Sequence, residues 1–313
     1  MARVMVLGGG LIGCGWAAAF AGAGHDTWVV DPDPATAERL AGVWEAARPV
    51  MAALGSLREG SEAPRHALRA EDAPAPELVQ EALPEDLGLK HRVLADLERR
   101  IGASVPVASS SSGFTPGAIA EGMAHPERLF IAHPCNPPYL MPTVELVGQE
   151  TTPDQMLADA EALYAGMGKT VLRMAKPMQG HLVNRLQFAL WREAVHLVAS
   201  GAATLADVER AVSEGLAPRW CLMGPGGVFH LSGGASGMAG YLAALGPATE
   251  AMWRDLGAPA LDEATGRALE QQMSAADPRP VAEIAAARDQ ALPEVMRAVA
   301  EIRSNSHGEG GRQ

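Results

Sequence analysis

The sequence predicts an α/β fold: an N-terminal, mostly parallel sheet with helices on both faces, followed by an all-helical C-terminal domain. Three observations predict it. Short apolar runs alternate with helical patterns through the first part of the chain, at Arg3–Leu7, Thr27–Val30, Leu78–Leu83, Val105–Ala108 and Thr170–Met174. That alternation is what a parallel sheet with crossover helices requires. A glycine string, Gly8, Gly10 and Gly13 in the spacing G-x-G-x-x-G, follows the first run at once. Beyond Gly180 only helical patterns remain. The expected division is therefore 1–179 for the sheet domain, 180–303 for the helical domain, and a polar, glycine-rich tail at 304–313 that is expected to be disordered.

The first strand, Arg3–Leu7, is apolar throughout, as suits a strand buried on both faces. An alanine-rich helix from Leu11 to about Ala23 follows the glycines, and a second strand, Thr27–Val30, ends in Asp31. Strand, glycine turn, helix, strand and acid in this order form a Rossmann-type dinucleotide-binding fingerprint. Gly8 permits the tight turn, Gly10 lets the backbone approach a pyrophosphate, and Gly13 lets helix and strand close together. The loop residues Leu11 and Ile12 open the helix whose N-terminus offers free N–H groups to phosphate. Asp31 accepts ribose hydroxyls and repels a 2′-phosphate, so the expected cofactor is NAD rather than NADP.

A helix is expected over Ala35–Leu54, and Gly55–Pro76 reads as a loop because it is polar and proline-rich. After the strand at Leu78–Leu83, apolar residues from Leu87 to Ile101 keep helical spacing within Glu85–Ile101. The strand Val105–Ala108 runs into four serines, Ser109–Ser112. Ligands of open α/β sheets sit at the carboxyl ends of strands, so these hydroxyls either serve chemistry there or form a turn that caps a helix at Thr115–Glu121.

Ile131–Val147 holds His133 and, twelve residues on, Glu145, with Pro134, Asn136, Pro137, Pro138 and Pro142 between them. Proline fixes φ and removes a donor, so the stretch is expected to be a rigid loop carrying His133 rather than a central strand. A histidine with a carboxylate partner is what a general base needs; a buried, satisfied histidine is the plainer reading. Helices are then expected at Asp154–Met167 and from about Gly180 to Ser200, with Asn184 in the first turn of the latter. Beyond Leu205–Glu214 a loop is expected through Arg219–Trp220, then a glycine-rich stretch, and helices at about Met238–Leu245, Ala248–Leu256, Ala260–Ser274 and Pro280–Arg303.

Composition limits the function. The chain has 313 residues, 48% of them hydrophobic, enough for a large core. A net charge of −12 argues against nucleic acid or an anionic membrane as partner. Three widely spaced cysteines, Cys14, Cys135 and Cys221, form neither a disulfide framework nor a metal-site pattern. With no leader pattern at the N-terminus and no membrane-length apolar run, a cytoplasmic protein acting on a small molecule is expected.

Taken together, GGGLIG at Gly8–Gly13, QEALPEDLGLK at Gln80–Lys90, SSSSG at Ser109–Gly113, AHPCNPPYLMPTVELV at Ala132–Val147, VNRLQ at Val183–Gln187 and SEGLAPRW at Ser213–Trp220 resemble the 3-hydroxyacyl-CoA dehydrogenase family, most of all its lambda-crystallin and L-gulonate 3-dehydrogenase branch. The resemblance implies that His133 is the catalytic base and Glu145 its partner. It implies that Ser112, 21 residues before His133, and Asn184 hydrogen-bond the reacting oxygen and substrate. It places Glu85 and Lys90 near the nicotinamide-side ribose and phosphates, and it implies a homodimer. His181 departs from the family, which usually carries an aromatic or large apolar residue after the glycine.

The implied reaction is reversible, NAD-dependent oxidation of a 3-hydroxyl to the 3-ketone. Leu40–Glu71 contains no lysine to hold a CoA, so a small free 3-hydroxy acid such as L-gulonate is expected, with Arg219 pairing its carboxylate. A 3-hydroxybutyryl-CoA substrate, L-carnitine and a polyketide β-keto acid are alternatives. A non-catalytic NAD-binding structural protein would need neither His133 nor Glu145. A hydrolase triad would need a strained nucleophile elbow that the serine run lacks.

Overall fold

A computed structural model describes residues 1–308, and the strands come first. They are β1 (Arg3–Leu7), β2 (Asp26–Val30), β3 (Arg65–Ala67), β4 (Leu78–Glu81), β5 (Val107–Ser109), β6 (Leu129–Pro134), β7 (Thr143–Val147) and β8 (Thr170–Arg173). Among the described residues they form one eight-stranded sheet, ordered β3-β2-β1-β4-β5-β6-β7-β8. Every neighbouring pair is parallel except β6 and β7. The chain turns back across the sheet between β1 and β4, the place where such sheets bind ligands.

The helices are α1 (Leu11–Gly22), α2 (Thr36–Ala53), α3 (Leu87–Glu98), α4 (Pro116–Ile119), α5 (Asp154–Gly166), α6 (Val183–Ala199), α7 (Leu205–Arg210), α8 (Ala217–Trp220), α9 (Pro225–Ser232), α10 (Gly237–Asp255), α11 (Glu263–Ala276) and α12 (Val281–Gly308). Period-two alternation in the strands sorts the core into two layers. Val4, Val6, Phe130, Ala132, Val144 and Leu146 pack with Trp16, Phe20, Leu40 and Tyr164 from α1, α2 and α5. Met5, Leu7, Leu129, Ile131 and Val147 pack with Leu94, Leu97 and Ile119 from α3 and α4. Helices thus cover both faces, as expected. Two compact units result, Met1–Arg185 and one beginning at Leu186, which is helical.

The glycine turn is built as its spacing requires. Gly8 has φ +98°, and a Cβ on Gly13 would lie 1.9 Å from the Gly8 carbonyl oxygen. No side-chain rotation relieves a clash with backbone. A Gly13→Ala variant is therefore expected to lose about 1–3 kcal/mol of stability to overpacking, read as a lower urea midpoint. A midpoint equal to wild type would show that strand and helix can separate here.

Several expectations need correction. Ile131–Val147 is not a loop carrying His133: His133 lies in strand β6, directly opposite Glu145 in β7. The Cys135 amide donates to the Thr143 carbonyl at 3.2 Å, which makes the Pro134–Val144 pair a non-hydrogen-bonded one. Pro134 therefore faces its missing donor away from β7, on the side where β5 has already ended, at Ser109 opposite Ile131. Only the residues between the strands form the proline loop, which Lys169 holds through the carbonyls of Pro138 and Met141. Burial there pulls the Lys169 ammonium down to a pKa of about 8.

Gly55–Pro76 contains β3, an edge strand too short to show periodicity, in which Arg65 pairs with Asp26 at 2.6 Å. Arg219–Trp220 belongs to α8, because Pro218 sits in the first helical turn, where a missing N–H costs nothing. The two helices expected between Met238 and Leu256 are one helix, α10, since Pro247 removes one donor without ending the ladder. Of the expected tail, 304–308 continue α12 and 309–313 lie outside the described residues. Among the described residues no helix is long and apolar enough to cross a membrane.

Candidate active site

The carboxyl ends of β4, β5 and β6 bring most of the first unit's candidate residues to one edge. Glu145 is fully buried and its two oxygens divide the work. Oε2 meets His133 Nδ1 at 2.7 Å, while Oε1 accepts the backbone N–H groups of Leu182 at 2.6 Å and Val183 at 2.7 Å. Burial pushes the Glu145 carboxyl upward, but these three hydrogen bonds outweigh it and hold the group below its ordinary range. With Nδ1–H donated to a carboxylate, Nε2 is the nitrogen left to take a proton. A carboxylate so placed can stabilise an imidazolium.

The serine turn separates into four roles. Ser109 donates to the buried Glu81, which also meets Lys90 Nζ at 2.6 Å. Ser110 Oγ accepts from Trp16 Nε1 at 3.1 Å and Gln80 Nε2 at 2.9 Å. Ser111 Oγ donates to Glu85 at 2.5 Å and accepts from the Phe114 amide at 3.0 Å. Ser112, at the end of the run, is exposed. Asn184 lies in the first turn of α6, one residue beyond the Val183 amide that holds Glu145.

On the cofactor side, a Cβ on Gly10 would meet nothing within 4 Å, whereas one on Gly8 would lie 2.6 Å from the Ala82 carbonyl oxygen. The glycine loop is thus closed against the protein and open outward, with the exposed Leu11 and the half-buried Ile12 starting α1 beside it. Asp31 accepts the Gly9 amide at 2.6 Å and the Asp33 amide at 2.8 Å, and a carboxylate with two such bonds still has acceptor capacity for two ribose hydroxyls. These residues fit a dinucleotide, which when bound supplies the hydride acceptor.

Glu85 is held by Ser111, the Gly113 amide at 2.8 Å and Lys90 at 3.4 Å; burial raises its carboxyl, and these partners bring it below its ordinary range. Lys90 is only 1% exposed, with its ammonium on Glu81, Glu85 and the Leu83 carbonyl. Its ammonium is thus enclosed by protein, whereas the Glu85 side chain is 39% exposed. Arg219 lies in the second unit, beside an apolar cleft formed with Leu222, Met223, Val228 and Leu231, and donates to the Gly215 carbonyl at 3.2 Å.

Sequence reasoning overlooked Glu81, although an acid ending the apolar run LVQE is a visible signal. It noted His181 without giving it a role. That side chain is fully buried beside His133, with ring centroids 5.1 Å apart.

Comparison with known proteins adds the following. A family model described as the NAD binding domain of 3-hydroxyacyl-CoA dehydrogenase matches residues 3–177. A second, for the C-terminal domain of 3-hydroxyacyl-CoA dehydrogenase, matches 180–270. An L-carnitine dehydrogenase of Streptomyces coelicolor is 42% identical over 304 residues, covering 96% of this chain and 95% of its own. Among solved structures, 5-formyl-3-hydroxy-2-methylpyridine 4-carboxylic acid 5-dehydrogenase, described as an NAD+-dependent dismutase, has a TM-score of 0.83 at 26% identity, covering 95% of this chain and 98% of that one. The (S)-3-hydroxybutyryl-CoA dehydrogenase of Ralstonia eutropha has a TM-score of 0.62 at 25% identity, covering 78% of this chain and 85% of that one. The sequence relative carries one of the alternative substrates named above, not the L-gulonate branch.

Proposed function

The chain belongs to the 3-hydroxyacyl-CoA dehydrogenase family and is an NAD-dependent dehydrogenase; from that premise we propose that its substrate is a small free 3-hydroxy acid, with L-carnitine first in line. The observation that carries the chemistry is the His133–Glu145 pair, buried, aligned across two strands and 2.7 Å apart. Identity of 42% to an L-carnitine dehydrogenase along nearly the whole chain supports the substrate, and so does the absence of lysine from Leu40–Glu71.

In this reading Nε2 of His133 takes the hydroxyl proton as the C3 hydride departs, and Glu145 keeps the ring in the accepting tautomer. Ser112 and Asn184 hydrogen-bond the developing carbonyl oxygen. Gly8, Gly10, Leu11, Ile12, Gly13 and Asp31 hold the adenosine side and pyrophosphate of NAD, and Glu85, braced by Lys90, holds the nicotinamide side. Arg219 pairs the substrate carboxylate. The helical unit mediates a homodimer: Phe188, Leu231, Met252 and Trp253 expose large apolar side chains there.

The test is a panel of L-carnitine, L-gulonate, 3-hydroxybutyrate and 3-hydroxybutyryl-CoA with NAD, followed through absorbance of the reduced nicotinamide. L-Carnitine is expected to give the highest kcat/KM. Preference for the CoA thioester would overturn the free-acid reading. Arg219→Met should raise KM for the free acid about 10- to 100-fold, the worth of a charge-assisted hydrogen bond. An unchanged KM would remove Arg219 from the substrate site.

A further inference from the structure

We propose that His181 is a positioning residue for this reaction, one ring that ties the peptide carrying Ser112 to the base His133. The inference rests on the functional reading above for its chemistry, but its geometry stands independently. His181 Nε2 lies 2.8 Å from the carbonyl oxygen of Ser111. A carbonyl only accepts, so Nε2 carries the proton. That carbonyl belongs to the peptide joining Ser111 to Ser112. The same ring lies against His133, tilted by 46°. One side chain therefore touches the base and the strand-end turn that presents the serine.

The backbone of His181 serves the third partner. His181 has φ +49°, the only non-glycine residue with positive φ among the described residues. Few side chains adopt this region without cost, though histidine does so more often than most. The bend it makes leads directly into the Leu182 and Val183 amides that both donate to Glu145. Strain of this kind persists where surrounding structure enforces it and marks functional turns.

The identity of the side chain is not explained by packing. His181 is fully buried, and its Nδ1 has no hydrogen-bond partner among the described residues. An orphaned buried nitrogen is a cost that a phenylalanine of similar shape would avoid. What phenylalanine cannot supply is the Nε2–H bond to Ser111. Burial, joined by the nearby His133, holds the imidazole below its ordinary pKa against the opposing pull of the Ser111 bond, Glu145 and Glu85. A neutral ring with Nε2 protonated is the state the tether needs.

Three variants test this. His181→Phe keeps ring volume and loses the donor; His181→Asn suits the backbone conformation but is too short to reach Ser111; His181→Gln restores an N–H at about the Nε2 position. With NAD and the best acid of the panel, Phe and Asn are expected to lower kcat about tenfold, equivalent to one hydrogen bond at the upper end of its usual worth. NAD affinity should hold in both; Phe and Gln, each strained at φ +49°, should both lose some Tm, so that kcat and not Tm separates them. Gln should return kcat to within about threefold of wild type. Hydrogen exchange at the Gly113 and Phe114 amides should quicken in Phe and Asn and recover in Gln. Wild-type kcat and exchange in the Phe variant would overturn the proposal, as would kcat losses that merely follow Tm in all three. If the wild-type protein turns over no acid at all, the substrate reading falls, and exchange at those two amides still decides the tether.

Discussion

A His133→Gln variant is expected to lose about 10³- to 10⁴-fold in kcat, the upper range for removal of a positioned general base, while binding NAD as the wild type does. Two features make the loss specific. Glutamine places an amide where the Nε2 lone pair stood, and an amide does not take a proton near neutral pH. The cofactor loop lies on β1, α1 and β2, with Asp31 bonded to the Gly9 and Asp33 amides and not to His133. Pre-steady-state mixing with NAD and isothermal titration separate the two effects. Turnover within tenfold of wild type would remove His133 as the base; lost NAD affinity would make it a structural residue of the sheet edge.

The parts of this site that could be read in the sequence are those in which local chemistry is enforced by the backbone. Gly8 and Gly13 are legible because no other residue fits their φ or their close approach, and Asp31 because it ends the second strand of that unit. His133 and Glu145 were legible as a pair through the family resemblance, but their secondary structure was not. Proline density suggested a loop, yet Pro134 falls at a position where the sheet does not need its N–H, a matter of register with β7 that no single segment reveals. Ser112 is named among the four serines only through the resemblance; in the structure its three neighbours engage Glu81, Trp16 with Gln80, and Glu85, while Ser112 is exposed. Glu81, Lys90 and His181 depend on contacts between segments far apart in sequence, and their roles surface only when the strands align.

Glu145→Gln is the sharper test of the pair, because it exchanges one oxygen for an NH₂ and leaves the shape. The carboxylate accepts three hydrogen bonds: one from His133 and two from the start of α6. If the glutamine oxygen keeps the Leu182 and Val183 amides, its NH₂ faces His133 Nδ1. That nitrogen must then accept, the proton moves to Nε2, and the base becomes a donor toward substrate. Locking a catalytic histidine in the wrong tautomer costs about 10⁴-fold in kcat, and a fall of that order is expected at pH 7.

Stability reports the same change by another route. Loss of a charge-assisted bond from a fully buried site should cost about 1.5–3 kcal/mol at neutral pH. The carboxyl of Glu145 is held below its unfolded value, so its contribution is fully present above the ordinary glutamate range and is lost as pH falls through the folded value. The urea midpoints of wild type and variant should therefore stand furthest apart at pH 7 and converge toward acid. A gap that widens on acidification would mean that Glu145 is protonated in the native state, and that His133 is held by a neutral acid that can neither fix its tautomer nor stabilise its imidazolium.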